Sequence, residues 1–126
     1  MSELKQIQTT KAPAAVGPYS QGIAMGDFVF ASGCIPLDPA TKTMPEGIKA
    51  QATQALENVK AVLEAAGTGM DRVVKAMVLL TDINDFAAVN EVYATYFSQP
   101  FPARSCFAVV ALPLGAKVEI EVIAAK

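Results

Sequence analysis

Val73-Val74-Lys75-Ala76-Met77-Val78-Leu79-Leu80 is an almost unbroken apolar run of eight residues, rich in β-branched side chains. Its length suits a strand better than a helix, and its lack of alternation predicts a strand buried on both faces. Upstream, Ile48, Ala52, Ala55, Val59, Val62 and Ala66 recur at three- and four-residue steps, with Lys49, Glu57, Lys60 and Glu64 opposite them. That spacing predicts a helix from about Ile48 to Ala66, with Gly67 placed to end it. Downstream, Phe86, Val89, Tyr93 and Phe97 make the buried stripe of a second helix. Asn84 or Asp85 would cap it, and Pro100 and Pro102 would stop it.

Working outward, residues 10–22 carry Pro13, Gly17, Pro18 and Gly22 and read as an ordered loop. Met25-Gly26-Asp27 reads as a turn between two short strands. The second of these, Phe28 to Ser32, runs into Gly33-Cys34-Ile35-Pro36 and a proline-marked loop. Two closing strands, Ser105–Leu112 and Lys117–Ala125, are parted by Pro113-Leu114-Gly115. The order is β-β-α-β-α-β-β, with or without a further N-terminal strand. This is an α+β fold with two helices packed on one face of a mixed sheet. Two helices cover only one face, yet the segments 28–31, 73–80 and 106–112 are apolar on both. Neighbouring subunits on the second face would resolve this, so the chain is expected to form a homo-oligomer.

Composition sets the bounds. The 126 residues are expected to form one domain, 1–126, since compact domains commonly hold about 100–150 residues. Such a chain buries roughly two-thirds of its unfolded surface and needs no disulfide or metal to fold. Cys34 and Cys106 match no CxxC or zinc-ligand spacing and read as free thiols in a reducing compartment. With neither a signal-like N-terminus nor a membrane-length apolar stretch, a cytoplasmic protein without a membrane partner is expected. Net charge is −2 and the ten basic residues are scattered, which argues against a nucleic-acid partner. The chain is 52% hydrophobic and only 17% charged, and this excess of apolar surface again points to self-association. It contains no histidine, which excludes Ser-His-Asp, Cys-His and HExxH chemistry. Catalysis must therefore run on carboxylates, hydroxyls, thiols, lysine, arginine or backbone groups.

Several residues then stand out, each with a plain reading beside a functional one. Arg104, one of two arginines, enters a buried strand within Phe101-Pro102-Ala103-Arg104-Ser105-Cys106-Phe107. It needs an anionic partner, either Glu119 or Glu121 in a structural ion pair or a substrate carboxylate in a bidentate clamp. In Val118-Glu119-Ile120-Glu121-Val122 the two-residue period puts Glu119 and Glu121 on one face. That face is either solvated or, if it meets another subunit, able to hold a carboxylate that orients water or moves a proton. Ser32-Gly33 is a strand end, or a place where a ligand approaches the backbone closely. Tyr19 is loop packing or a site residue, and Asn90 a surface amide or a site residue. Cys106 is a small buried hydrophobe, or a nucleophile if Arg104, two residues away on the same face, supplies a positive field.

Taken together, the segments Ala12–Gly22, Ser32–Pro36, Asn58–Gly67, Asp85–Asn90, Phe101–Cys106 and Leu112–Glu121 resemble the reactive-intermediate deaminase (Rid, YjgF-like) family in order and spacing. Pro-Ala-Arg-Ser at 102–105 followed by Leu-Pro at 112–113 and Val-Glu-Ile-Glu at 118–121 is especially characteristic. The resemblance implies a chorismate-mutase-like fold, a homotrimer with a central barrel of sheets, and active sites in the clefts between subunits. It implies hydrolysis of 2-imino or enamine acids, such as 2-iminobutanoate and 2-iminopropanoate, to 2-keto acids and ammonia, with no cofactor and no metal. In the deaminating branch Arg104 would bind the substrate carboxylate and Glu119 would position or activate water. Backbone groups at Gly33 and Cys106 would meet the reacting end, while Tyr19, Ser32 and Asn90 would line the cleft. Imines already hydrolyse in water, so positioning and electrostatics suffice to lower the remaining barrier.

Two departures from the family stand out. Only Ser98-Gln99-Pro100 separate Phe97 from Phe101, a shorter loop than is common, and Cys34 stands where glutamine is usual. A non-catalytic trimer that senses small carboxylates would use the same arginine. An RNA-cleaving translation inhibitor fits the acidic balance less well.

Overall fold

The computed structural model describes residues 3–126. Strands β1 (Lys5–Ile7), β2 (Gly22–Met25) and β3 (Phe28–Ala31) are followed by helix α1 (Ile48–Ala65), strand β4 (Val73–Leu80) and helix α2 (Phe86–Tyr96), then strands β5 (Ala103–Ala108) and β6 (Val118–Ala125). The further N-terminal strand is thus present as β1. The six strands form one mixed sheet in the order β1-β2-β3-β6-β4-β5, with only the β4–β5 pair parallel.

The apolar run that opens β4 becomes a central strand, flanked by β6 and β5. Its Ala76, Val78 and Leu80 are fully buried beside Val118, Ile120 and Val122 of β6. On this layer pack Ala52, Ala55, Leu56, Val59, Val62 and Leu63, the apolar stripe of α1, with Val89 and Tyr93 of α2. Both helices lie on this one face. The other face carries Met25, Phe28, Phe30 and Phe107, all exposed, the two β3 phenylalanines at 43% and 42%. Cross-strand register sets Phe28 opposite Met25 and Phe30 opposite both Ile23 and Ile123, so these side chains form one apolar patch.

Three buried amides tie the loops to this layered core. Gln21 accepts from Thr9 N and donates to the carbonyls of Thr9, Ala12 and Pro13, which orders the N-terminal loop. Gln51 donates to Pro45 O and accepts from Lys117 N. Asn58, 1% exposed, donates to Ile35 O and Leu37 O at 2.9 Å each.

Three local expectations are corrected. Asp85 does take the N-cap position of the second helix, but its side chain makes no capping hydrogen bond; a 3-10 turn, Ile83–Asp85, leads into the helix, and the Asp82 carboxylate caps that turn by accepting from Asn84 N. Phe86 does not join the buried stripe: it begins the helix at the sheet margin and is 40% exposed. The strand expected over Ser105–Leu112 spans Ala103–Ala108, because β4 ends at Leu80 opposite Ala108 and the Leu80 carbonyl takes the last bond, from Val109 N.

Candidate active site

Register decides where the candidate side chains point. Leu79 of β4 is paired with Glu119 on one side and Phe107 on the other, and Met77 with Glu121 and Ser105. Directly paired residues share a face, so Glu119, Glu121, Ser105 and Phe107 lie on the open face. Ala76 and Val78, which face the helices, are paired with Arg104 and Cys106. Arg104 and Glu119 therefore sit on opposite faces of one sheet, two strand spacings apart laterally (about 10 Å) and three residues apart along the strands (about 10 Å more). The chain brings the candidates together in two groups rather than one.

The first group forms where β5, the edge strand, passes under α2. Arg104 Nη1 donates to Asn90 Oδ1 at 2.8 Å. The guanidinium carbon stands 4.8 Å from the centroid of the Tyr93 ring and 5.5 Å from that of Phe86. Residues 86, 90 and 93 fall on one stripe of the helix, so a single surface of α2 holds the arginine. No carboxylate lies in ion-pair contact with Arg104 among the described residues, where the one salt bridge is Lys49–Glu91. An ion pair with Glu119 or Glu121, one of the two readings of Arg104, is thus not formed within the chain. Cys106 shares this group. Partial burial raises its thiol above the ordinary range, against a smaller lowering by Arg104, so no thiolate is prepared at neutral pH. As β5 is an edge, half of its backbone amides and carbonyls have no partner in the sheet.

The second group gathers on the open face. Ser32 Oγ donates to Ser20 O at 2.6 Å, and Ser32 N to Gln21 O, which fixes the loop end carrying Tyr19 beside β3. Tyr19 is half exposed and its hydroxyl accepts from Val16 N at 3.4 Å. Past the end of β3, Cys34 exchanges backbone hydrogen bonds with Ile120, which lays Gly33 alongside Glu119. The close approach at Gly33 is made by the protein's own carboxylate: a Cβ there would stand 2.7 Å from Glu119 Oε2. Burial first, and the Glu121 charge second, hold the Glu119 carboxyl above its usual range. Burial, then the Glu119 charge, push the Cys34 thiol up to about 12, so it stays protonated and unreactive. A shallow cleft of about 350 Å³ opens here between Ser20, Phe30, Ser32, Gly33 and Glu121. The larger cavity, about 450 Å³, is lined by residues 70–74, the 95–100 segment and Ala125, and includes none of these candidates.

Tyr93 and Phe86 join the candidates through their contact with Arg104. A polar Asn90 inside an aromatic stripe was the available sequence signal. Nothing local indicated that its partner lies 14 residues away on a strand.

Comparison with known proteins adds the following. A family model described as Endoribonuclease L-PSP matches residues 9–126. The 2-iminobutanoate/2-iminopropanoate deaminase of Salmonella typhimurium is 50% identical over 125 residues, 97% of this chain and 98% of that protein. The crystal structure of RidA from the Antarctic bacterium Psychrobacter sp. PAMC 21119 matches with a TM-score of 0.94 at 52% identity, covering 97% of this chain and 99% of that one. E. coli TdcF with bound serine matches with a TM-score of 0.93 at 45% identity, covering 97% and 98%.

Proposed function

The chain belongs to the Endoribonuclease L-PSP (YjgF/Rid) family, and from that membership we propose that it is a 2-iminobutanoate/2-iminopropanoate deaminase whose active site is assembled between subunits of a homotrimer. The observation that carries the catalytic reading is the state of Arg104. Its charge is held by a neutral amide and two aromatic rings and is neutralised by no carboxylate of the described chain. It therefore remains available for an anionic ligand, and a planar fork fits a carboxylate edge-on.

The two groups suit two ends of such a substrate. Arg104 fixes the carboxylate of a 2-imino acid, and an unpaired carbonyl of the β5 edge at Cys106 accepts the iminium N–H. The Glu119 group, brought by the neighbouring protomer, orients water with the backbone at Gly33; Tyr19 and Ser32 close the rim. Water adds to the imine carbon as Glu119 takes its proton. Glu119 returns that proton to nitrogen; as the C–N bond breaks, the hydroxyl of the tetrahedral intermediate gives its proton to Glu119, the carbonyl forms, and 2-keto acid and ammonia leave. Each step asks for positioning and one proton transfer, which a carboxylate with a raised pKa supplies well near neutrality.

The open apolar face supports the assembly. Met25, Phe28, Phe30 and Phe107 all stand exposed on this face, and large apolar side chains gathered on one open sheet face favour burial against another copy. With three such faces turned inward, the edge carrying Arg104 would meet the Glu119 face of the next copy. No helix of the described residues is long and apolar enough to cross a membrane. With Cys34 and Cys106 unpaired, we place the protein in the cytoplasm. No histidine or basic stripe favours RNA cleavage, despite the family's description.

The test is to generate 2-iminobutanoate in situ with a threonine dehydratase and follow keto-acid release. Wild-type protein should accelerate release above the spontaneous rate, and Arg104→Ala, shown folded by circular dichroism, should not. Failure to accelerate any amino-acid-derived imine, with saturable binding of 2-oxobutanoate retained, would replace the enzyme with a carboxylate-binding trimer.

A further inference from the structure

We propose that Tyr93 is a positioning residue for carboxylate recognition, its ring serving as the platform on which the Arg104 guanidinium lies; this rests on Arg104 being the anchor. An arginine on an edge strand has four rotatable side-chain bonds and would ordinarily sample many rotamers, losing affinity each time a ligand must collect it. Here Nη1 is tied to Asn90 at 2.8 Å, and the Tyr93 ring stands 4.8 Å from the guanidinium carbon. The hydrogen bond fixes one edge and the ring fixes the plane, leaving the opposite edge of the fork free.

The platform is itself immobile. Tyr93 is 5% exposed, and its ring packs on Phe97 with centroids 4.5 Å apart. Its hydroxyl is buried with no hydrogen-bond partner among the described residues. A buried hydroxyl left unmatched destabilises a fold, so that group does not explain the residue's position. The contact made is through the face of the ring, where the quadrupole is negative and attracts a cation. Phe86 adds a second, more distant and more exposed aromatic contact at 5.5 Å.

The experiment replaces Tyr93 in the full-length protein by phenylalanine and then by mono-, di- and trifluorophenylalanine. Each fluorine drains the ring face of negative charge while scarcely changing its volume. KM for 2-iminobutanoate, and Kd for 2-oxobutanoate as a non-reacting carboxylate, should rise stepwise along the series to roughly tenfold, with kcat nearly constant. Tyr93→Leu should raise KM at least as far, and Tyr93→Phe should restore it. If Tyr93→Leu does not fold, the fluorinated series still decides. A KM and Kd that stay flat along the series, beside an Arg104→Ala that has lost substrate, overturn the platform alone. An Arg104→Ala with wild-type KM overturns the anchor and the platform with it.

Discussion

The Glu119 carboxylate rests where a side chain at Gly33 would be: a Cβ built on Gly33 falls 2.7 Å from Oε2 and 2.8 Å from Cδ. Glycine is required here for space rather than for backbone conformation, since Gly33 is not among the glycines with positive φ. The missing methyl group lets the carboxylate lie against the backbone at Gly33, which itself lines the cleft beside Ser32.

Gly33→Ala should therefore act on Glu119. The carboxylate must move by a sizeable part of an ångström, and misplacement of about 1 Å can cost about 10²-fold in rate. We expect kcat to fall at least tenfold while thermal stability changes little, because Gly33 is exposed. Steady-state kinetics beside a melting curve check this. A large loss of stability with an unchanged kcat would show that the close contact matters to the fold and not to the chemistry.

The raised pKa of Glu119 has two causes, burial and then the charge of Glu121. If the carboxylate form is the working base, activity should climb with pH through that raised pKa. Glu121→Gln removes the second cause and leaves the first, so the acid limb should move to lower pH without reaching an ordinary glutamate's position. The stability sign is opposite. A carboxyl with a raised folded pKa favours the folded state fully below its unfolded pKa, and that contribution is lost as pH rises through the folded value. Glu119→Gln should thus melt higher than wild type at neutral pH. Rate–pH profiles, corrected for spontaneous imine hydrolysis, and melting curves read both. An acid limb unmoved by Glu121→Gln would assign it to another group.

Asn90 Oδ1 must face Arg104, because a guanidinium only donates. Asn90→Asp keeps the acceptor and adds a charge that neutralises the anchor. We expect KM to rise roughly tenfold to a hundredfold, in line with about 1.5–3 kcal/mol for a charge-assisted hydrogen bond, with the fold intact. Asn90→Ala, which frees the guanidinium without neutralising it, should cost less. An Asn90→Asp with wild-type KM would separate Arg104 from carboxylate binding.

Asn58 is a stability residue that also holds the loop after Gly33. Asn58→Ala strands the carbonyls of Ile35 and Leu37, and each unmatched buried acceptor costs about 1–3 kcal/mol. We expect a loss of about 2–4 kcal/mol in urea unfolding at fixed protein concentration. A loss below 1 kcal/mol, on the order of ordinary surface substitutions, would mean that water replaces the amide at those carbonyls.

The parts of this molecule that a sequence announces are those fixed by local periodicity. Val73–Leu80 is the expected strand, buried within the chain on the face of Ala76, Val78 and Leu80 alone, and the alternation of Val118, Ile120 and Val122 put Glu119 and Glu121 on one face, as the structure has them. The end of β5 was illegible because it depends on where β4 runs out, at Leu80. Asp85 holds the N-cap position of α2 without a capping side-chain bond, because a 3-10 turn capped by Asp82 leads into it, and no residue spacing marks that turn. The opposite orientation of Arg104 and Glu119 needed the register of two strand pairs, which no single stretch encodes. Asn90 and Tyr93 acquired their meaning only through a strand that reaches them from another part of the chain.

That opposite orientation yields the sharpest prediction about assembly. If each active site joins the Arg104 group of one protomer to the Glu119 group of the next, then Arg104→Ala and Glu119→Gln damage different halves. Each variant alone should be inactive in every site. Co-expressed in equal amounts and assembled at random, they should recover about a quarter of wild-type activity, because each junction needs an intact half from each of two independently chosen protomers. Phe30→Glu, which puts a charge in the open apolar face, should break the oligomer in sedimentation and abolish this recovery. Mixed assemblies that stay inactive while sedimenting as wild type would place both groups in the service of a single protomer, and the sheet between Arg104 and Glu119 would then have to be bridged by the substrate's own reach around the β5 edge.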